Sequence, residues 1–492
     1  MLSVNSAHYP QASENRKQGL RIPNLSTPLI LVLIFLFIWR MGTAQNTVIQ
    51  GVAPGAGGRY LIASVASDYI TGTEKNLGRV KVDTTGKFRI EVPVEKTSLI
   101  RISIDFHTAE FFSEPGKKYE LIVEPYKYDD VKELNPFINS SSLQFRFANI
   151  PENDINYVLA EFDGIYNAFL IENFNALYRD HVRSLVDTLR NRVRAAVGEP
   201  KDEYIRNYMD YKMANVILLT QSLSQTQIGF RYFTTKPVLQ GNVEYMDFFN
   251  TYFTKYMFAT SRILKKNDYH ALLSGSDPYS ALMKALGADT LLKPEALREM
   301  VLIKGLYEMY PNQPDDQPAI ISVLRAIEKN SKDPENRIIA RNAARSLTHL
   351  QTGTPAPSWV FRNRDNTAYV RMDSLRGKVI VLNFFTTYCT GCCNEMDLLH
   401  DMSEKYKGRV VFVSVSSEYY WIRMLYHINL KKNWDWTFCH IGDQIEMLRE
   451  YDVRTLPLFV IIDRKGNIFR YPADYPSNGL EKQIEECLLL PK

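Results

Sequence analysis

Asn383-Phe384-Phe385-Thr386-Thr387-Tyr388-Cys389-Thr390-Gly391-Cys392 is the stretch on which the reading of this chain turns. It ends a run of apolar residues, Val379 to Phe385, that reads as a buried strand, and it opens an amphipathic segment that reads as a helix. Two cysteines three apart at a helix start put both sulfurs on one turn, within reach of a disulfide. The first sulfur lies where unpaired helix N–H groups favour an anion, so the Cys389 thiol is expected to ionise readily and to take part in thiol–disulfide exchange. Zinc sites use the same spacing, so the pair has to be read in its context.

That context is a set of motifs in fixed order. Thr354-Pro355-Ala356-Pro357-Ser358-Trp359 and Leu375-Arg376-Gly377-Lys378-Val379-Ile380-Val381-Leu382-Asn383-Phe384 precede the pair. Glu395 stands one turn beyond Cys392. Tyr451-Asp452-Val453-Arg454-Thr455-Leu456-Pro457-Leu458-Phe459-Val460-Ile461-Ile462-Asp463 follows, and then the turn signal Arg464-Lys465-Gly466-Asn467. With these motifs residues 351–492 resemble the thioredoxin fold, in the TlpA/ResA-like branch of bacterial membrane-facing thiol–disulfide oxidoreductases.

The resemblance implies an opening strand at Thr354–Trp359, an active-site glutamate at Glu395 and a cis-proline at Pro457 beside the disulfide. Cys389 is then the nucleophile that forms a mixed disulfide, and Cys392 the thiol that resolves it. Glu395 is the candidate to carry the proton of Cys392, set against a merely solvated helix glutamate. Pro457 would leave neighbouring backbone free to pair with an extended substrate, set against an ordinary proline at a strand start. Tyr388, Thr455 and Leu456 are the candidate substrate-binding residues, Leu456 as an apolar wall against the disulfide. Tyr388 stands where the family has tryptophan, Asn383 where thioredoxin has a buried aspartate, and Thr390-Gly391 lacks the usual proline. Because the dipeptide tunes the reduction potential, reductase, oxidase and isomerase stay open.

Cys393 extends the motif to a cluster of three cysteines. It is expected to turn towards the sheet as a small core residue, with a redox role or a zinc site completed by Cys439, His440 or His400 as alternatives. Cys439 and Cys487 read as buried thiols or as a second disulfide.

The whole chain has 492 residues, 45% hydrophobic and 23% charged, with a formal net charge of +4. These values suit about three globular domains. There is no basic stripe, which argues against nucleic acid as a partner. The apolar run 28–39 follows Arg16, Lys17 and Arg21 and would make a helix about 18 Å long, short of a ~30 Å hydrocarbon core. Gly42-Thr43-Ala44 offers a cleavage site, so a removed secretion signal is favoured over a retained anchor. Either places the body of the protein in the cell envelope or periplasm, and only an uncleaved segment would contact the membrane.

Residues 1–44 are therefore a signal or anchor, and 45–135 a β-sandwich-like domain with strands at Arg59–Val65, Leu77–Val82, Lys87–Val92, Leu99–Ile104 and Tyr119–Val123. This part resembles a β-domain that precedes TlpA-like domains in some Gram-negative envelope proteins, and serves as docking module or spacer. Residues 136–350 read as about eight helices. The helical face is drawn through Tyr157, Phe162, Ile165, Phe169 and Ile171, and Tyr252, Phe253, Tyr256 and Phe258 are assigned to core over a peptide groove. Gln351–Pro357 is the linker to the thioredoxin-like domain, 351–492.

The leading function is an extracytoplasmic protein-disulfide reductase whose only redox group is the Cys389–Cys392 pair. The family resemblance implies electrons from a membrane thiol-transfer protein and substrates among disulfide-bonded envelope proteins, apocytochromes c included. Two alternatives are carried. One is peroxiredoxin-like peroxide reduction, for which Leu382 occupies the position that wants proline. The other is a non-enzymatic envelope binding protein that uses the fold as scaffold.

Overall fold

A computed structural model describes residues 46–125, 142–257, 264, 266–418, 420–442 and 444–491. The expected signal or anchor, the 135/136 domain boundary and Phe258 lie outside the described residues.

The first part is all strand: β1 Thr47–Val52, β2 Tyr60–Ala66, β3 Glu74–Lys81, β4 Lys87–Val92, β5 Ser98–Ile104, β6 His107–Ser113, β7 Lys118–Val123 and β8 Phe145–Phe147. They form two four-stranded sheets, in the orders β4-β1-β7-β8 and β3-β2-β5-β6. Alternation builds them: in β4, Phe88, Ile90 and Val92 are buried while Lys87, Arg89 and Glu91 face water. Both sheets feed one apolar cluster that includes Ile49, Leu61, Ile102 and Leu121. β1 runs parallel to β7 and needs glycine at Gly51, where a Cβ would strike the Leu121 carbonyl. Strands β1, β6 and β8 were not foreseen. β8 pairs antiparallel with β7 and falls in the stretch expected to be helical.

Eleven α-helices follow among the described residues: α1 Ile155–Glu172, α2 Phe174–Tyr178, α3 Leu185–Val197, α4 Glu203–Leu219, α5 Gln225–Gly229, α6 Val243–Tyr252, α7 Lys266–Leu273, α8 Pro278–Leu286, α9 Glu295–Met309, α10 Gln317–Asn330 and α11 Pro334–Thr348. They exceed the expected eight because several are one or two turns long. Asp333 caps α11 through the Glu335 and Asn336 N–H groups, with Pro334 in its first turn. Tyr252, Phe253 and Tyr256 join the shared core, as do Phe162 and Phe169. Tyr157 and Ile171, placed on the same face from sequence, are instead 45% and 79% exposed. Phe112 of β6 enters this helical core, and its backbone N–H and C=O are both bonded to the side chain of Asn156 in α1.

The last part alternates strand and helix: β9 Val360–Asn363, β10 Tyr369–Arg371, β11 Val379–Phe385, α12 Thr390–Lys405, β12 Val410–Ser416, α13 Trp421–Leu430, β13 Thr437–His440, α14 Glu446–Glu450, β14 Leu458–Ile462, β15 Ile468–Ala473 and α15 Leu480–Leu488. The sheet order is β10-β9-β13-β12-β11-β14-β15. β11 is buried along its whole length, with β12 parallel on one side and β14 antiparallel on the other. α12, α13 and α15 cover one face; Trp359, Phe361, Leu448 and Tyr451 fill the other. The opening strand begins at Val360, later than expected. The segment read as a linker is tied down, since Gly353 N–H donates to Ile468 O at 2.7 Å and Ala356 N–H to Gly466 O at 3.0 Å. Among the described residues no helix is long and apolar enough to cross a membrane.

Candidate active site

β11 delivers the chain to the sheet edge, and Thr386, Thr387 and Tyr388 carry it to α12. Cys389 is the N-cap of α12, in extended backbone, and its Sγ accepts the Cys392 N–H at 3.1 Å. A sulfur there meets the orphan donors of the first turn, so a thiolate left by reduction is stabilised in place. Cys389 and Cys392 form a disulfide, with Cys389 part-exposed and Cys392 fully buried. Only one sulfur of the pair is therefore open to an incoming group.

The Leu456–Pro457 bond is cis. The Leu456 carbonyl oxygen lies 3.9 Å from Cys389 Sγ, and Pro457 is buried at the start of β14. Leu456 packs against the apolar clusters on both sheet faces. Thr455 is exposed and, with Pro457, lines a cavity of about 500 Å³ that runs towards Tyr475. Tyr388, 39% exposed, borders the disulfide in sequence, and burial of its ring raises the phenol pKa.

Glu395 sits on α12, part-buried. Both its carboxylate oxygens are engaged by Ser477: Oε2 by the backbone N–H at 3.0 Å and Oε1 by the hydroxyl at 2.7 Å. Ser477 belongs to the 3₁₀ turn Pro476–Asn478 before α15, so Glu395 pins α12 to the end of the domain.

A second carboxylate was missed by the sequence reading. Glu418, 1% exposed, lies just past β12. It accepts the Thr387 N–H at 3.1 Å, the Thr387 hydroxyl at 2.7 Å and the Ser416 hydroxyl at 3.1 Å. It thereby fixes the loop two residues ahead of Cys389. The signal was available, because an acid at the C-terminal end of a parallel strand stands where α/β folds place their sites. At Asn383, by contrast, the amide oxygen accepts from Ser414 at 2.5 Å inside the sheet.

Cys393 packs at the edge of the apolar cluster on the sheet face that α12 covers, as a partly buried core residue, and also meets α13: its sulfur is 3.6 Å from His427 Nε2 and 3.7 Å from the Thr387 carbonyl. Burial raises its thiol pKa, and burial with the Lys431 charge lowers that of His427, so both sit neutral. Cys439 belongs to the opposite sheet face and is not brought to Cys393. Cys439 and Cys487 are free and lie on opposite faces, so the second disulfide is not formed. Burial pushes both thiols up to about 12.

The thioredoxin-like family model matches residues 377–468. The thiol–disulfide oxidoreductase ResA of Bacillus thuringiensis subsp. konkukian is 26% identical over 141 residues, covering 28% of this chain and 78% of its own. The thioredoxin-like protein YneN of Bacillus subtilis is 25% identical over 119 residues, 24% of this chain and 69% of its own. Among solved structures, the thioredoxin domain of a thiol–disulfide oxidoreductase from Bacteroides vulgatus is 20% identical, covers 28% of this chain and 97% of that one, and has a TM-score of 0.26.

Proposed function

We propose, from a C-terminal region that is a thioredoxin-like domain of the thiol–disulfide oxidoreductase kind, that this protein reduces disulfide bonds of other proteins outside the cytoplasm. In this reading the Cys389 thiolate attacks one sulfur of a substrate disulfide. A Cys389–substrate disulfide forms, and the other substrate sulfur leaves as a thiolate that takes up a proton. Cys392, having given up its own proton, attacks Cys389 Sγ; the intramolecular disulfide forms and the second substrate thiol departs. Two electrons have passed to the substrate, and a dithiol donor restores the pair.

The observation that carries this reading is the asymmetry of the two sulfurs, one part-exposed at a helix start and one fully buried behind it. Glu395, one turn along α12 from Cys392, is the proton carrier of the second step, and Ser477 orients it. Tyr388, Thr455, Leu456 and Pro457 form the rim on which an extended substrate lies. The apolar run 28–39 behind Arg16, Lys17 and Arg21 supports a place in the cell envelope, and the resemblance of the β-domain to those of Gram-negative envelope proteins makes that the envelope of a Gram-negative bacterium. There the donor is a membrane thiol-transfer protein, and apocytochromes c are among the substrates.

The test is the reduction potential of the Cys389–Cys392 pair in the full chain, equilibrated against thiol buffers. A value of about −230 to −270 mV, in the range of glutaredoxin and thioredoxin, is expected of a reductase. A value near about −120 mV would reverse the electron flow, and the absence of a reversible couple would remove exchange chemistry altogether.

A further inference from the structure

Far along the chain from the cysteines, the helical part holds a cavity of about 630 Å³ where α3, α4 and the segment from Phe230 to Lys236 converge. Helical spacing builds its walls. Arg190, Val193 and Arg194 share one face of α3, and Arg206, Asp210, Met213 and Ile217 share one face of α4. The floor is apolar: Val193 and Ile217 are buried core residues, and Met209 and Met213 lie half-buried beside them. The rim carries Arg190, Arg194, Arg206, Arg231 and Lys236 against two lining carboxylates, Glu199 and Asp210.

The ion pairs leave a remainder of positive charge. Arg190 pairs with Asp187 at 2.5 Å, Arg194 with Glu199 at 2.6 Å and Lys236 with Asp210 at 3.0 Å. Arg206 donates to the backbone carbonyls of Pro200 and Lys201 and has no carboxylate partner among the described residues. Arg231 stacks over the ring of Tyr232 at 5.5 Å and has no carboxylate partner among the described residues. Two guanidinium groups, the side chains best shaped for two-pronged capture of carboxylate or phosphate, thus stand unneutralised over an apolar floor.

We propose that this cavity binds a single-chain amphiphilic anion, with its acid headgroup between Arg206 and Arg231 and its hydrocarbon chain on Met209, Met213 and Ile217. The volume falls within the ~300–1,000 Å³ of small-molecule pockets, which suits one chain. The two methionines can reshape around a flexible tail. The site is independent of the redox chemistry proposed above.

Calorimetric titration of the full chain with dodecyl phosphate, below its micellar concentration, tests this. Expected is saturable one-to-one binding, at least about tenfold tighter than inorganic phosphate and weakened at least about tenfold by the double variant Arg206→Gln, Arg231→Gln. Both arginines are exposed, so the variant should keep its circular dichroism and its disulfide-exchange rate, which together report that it is folded. Met213→Gln, tested in the same way, should weaken dodecyl phosphate and leave inorganic phosphate unchanged. Failure to bind, equal affinity for inorganic phosphate or for uncharged dodecyl maltoside, or undiminished binding by the folded double variant would each overturn the proposal.

Discussion

The five cysteines differ only in where the fold puts them, and that placement predicts their reactivity. Cys389 is part-exposed at a helix N-cap; Cys393 is half-buried with its thiol pKa raised; Cys439 and Cys487 are buried and pushed up to about 12. After reduction, brief treatment with iodoacetamide at neutral pH should label Cys389 first, Cys393 more slowly, and Cys439 and Cys487 only on unfolding. Peptide mass spectrometry reads the order, and early labelling of Cys393 would refute it. Cys392→Ser should hold the substrate as a stable mixed disulfide on Cys389, visible as a band that vanishes under reducing conditions. Glu418 makes a different kind of prediction. Three donors converge on its carboxylate from Thr387 and Ser416. Glutamine keeps the shape but removes the negative charge to which all three donors point. Glu418→Gln should therefore cost about 1–3 kcal/mol, read from the urea midpoint, and slow thiol–disulfide exchange roughly 10- to 100-fold by loosening the loop ahead of Cys389. Unchanged stability and rate would leave Glu418 as filler.

Among the elements, β1 depends on one small residue. It lies parallel against β7, and at Gly51 any side chain would collide with the Leu121 carbonyl, which is held in the sheet and cannot retreat. Gly51→Ala should lower stability by about 1–3 kcal/mol or more, measured as a shift of the denaturant midpoint without a change of slope. A neutral result would mean that the two strands can separate at no cost. That contact was hidden from the sequence, because Gly51 sits in a short run and its partner lies seventy positions on. The same limit explains what else was legible. Strands β2 to β5 and β7 announce themselves by alternation over single runs. β11, α12 and β14 do so by a continuous apolar stretch, a CxxC and a Leu-Pro step. β8 has three residues, and its strand character comes from pairing with β7. Glu395 was visible because it stands near Cys392 in sequence. Glu418 reaches Cys389 only through the sheet, and the contact of Cys393 with His427 depends on α13, whose position no local pattern specifies. Tyr157 and Ile171 show the converse error: the buried stripe of α1 runs through Ile155, Leu159, Phe162, Tyr166 and Phe169, and two residues further on from Ile155 or Phe169 the chain has turned to the opposite, solvent side.

Across the whole molecule, the β-sheets and the thioredoxin-like region meet at a polar seam. Arg59, 6% exposed, pairs with Asp105 of its own sheet and reaches the Tyr420 hydroxyl, at the N-cap of α13, at 3.2 Å. Glu74 of β3 pairs with Arg449 of α14 at 2.8 Å, and Phe106 packs on the sheet face opposite α12. The two pairs differ in weight. Arg449 is 67% exposed, so breaking its pair should cost well under about 1 kcal/mol. Arg59→Ala removes the guanidinium that pairs with the largely buried Asp105 and should cost about 3–5 kcal/mol, whereas Tyr420→Phe removes only one acceptor of that charged group, for about 1.5–3 kcal/mol. The seam also carries a pH response. His107, at the start of β6 and buried, has its pKa lowered to about 4, first by burial and then by the Arg59 charge. In the unfolded chain it titrates near 6.5, so above that pH both states hold the neutral ring and nothing is lost. Below it the unfolded state takes up the proton first, and stability falls by up to about 1.4 kcal/mol per pH unit until the folded ring also protonates near pH 4. Urea midpoints measured between neutral pH and 4.5 should therefore fall more steeply for the wild type than for His107→Gln. Parallel profiles would show that His107 is already charged in the folded protein, and that the seam tolerates a second cation beside Arg59.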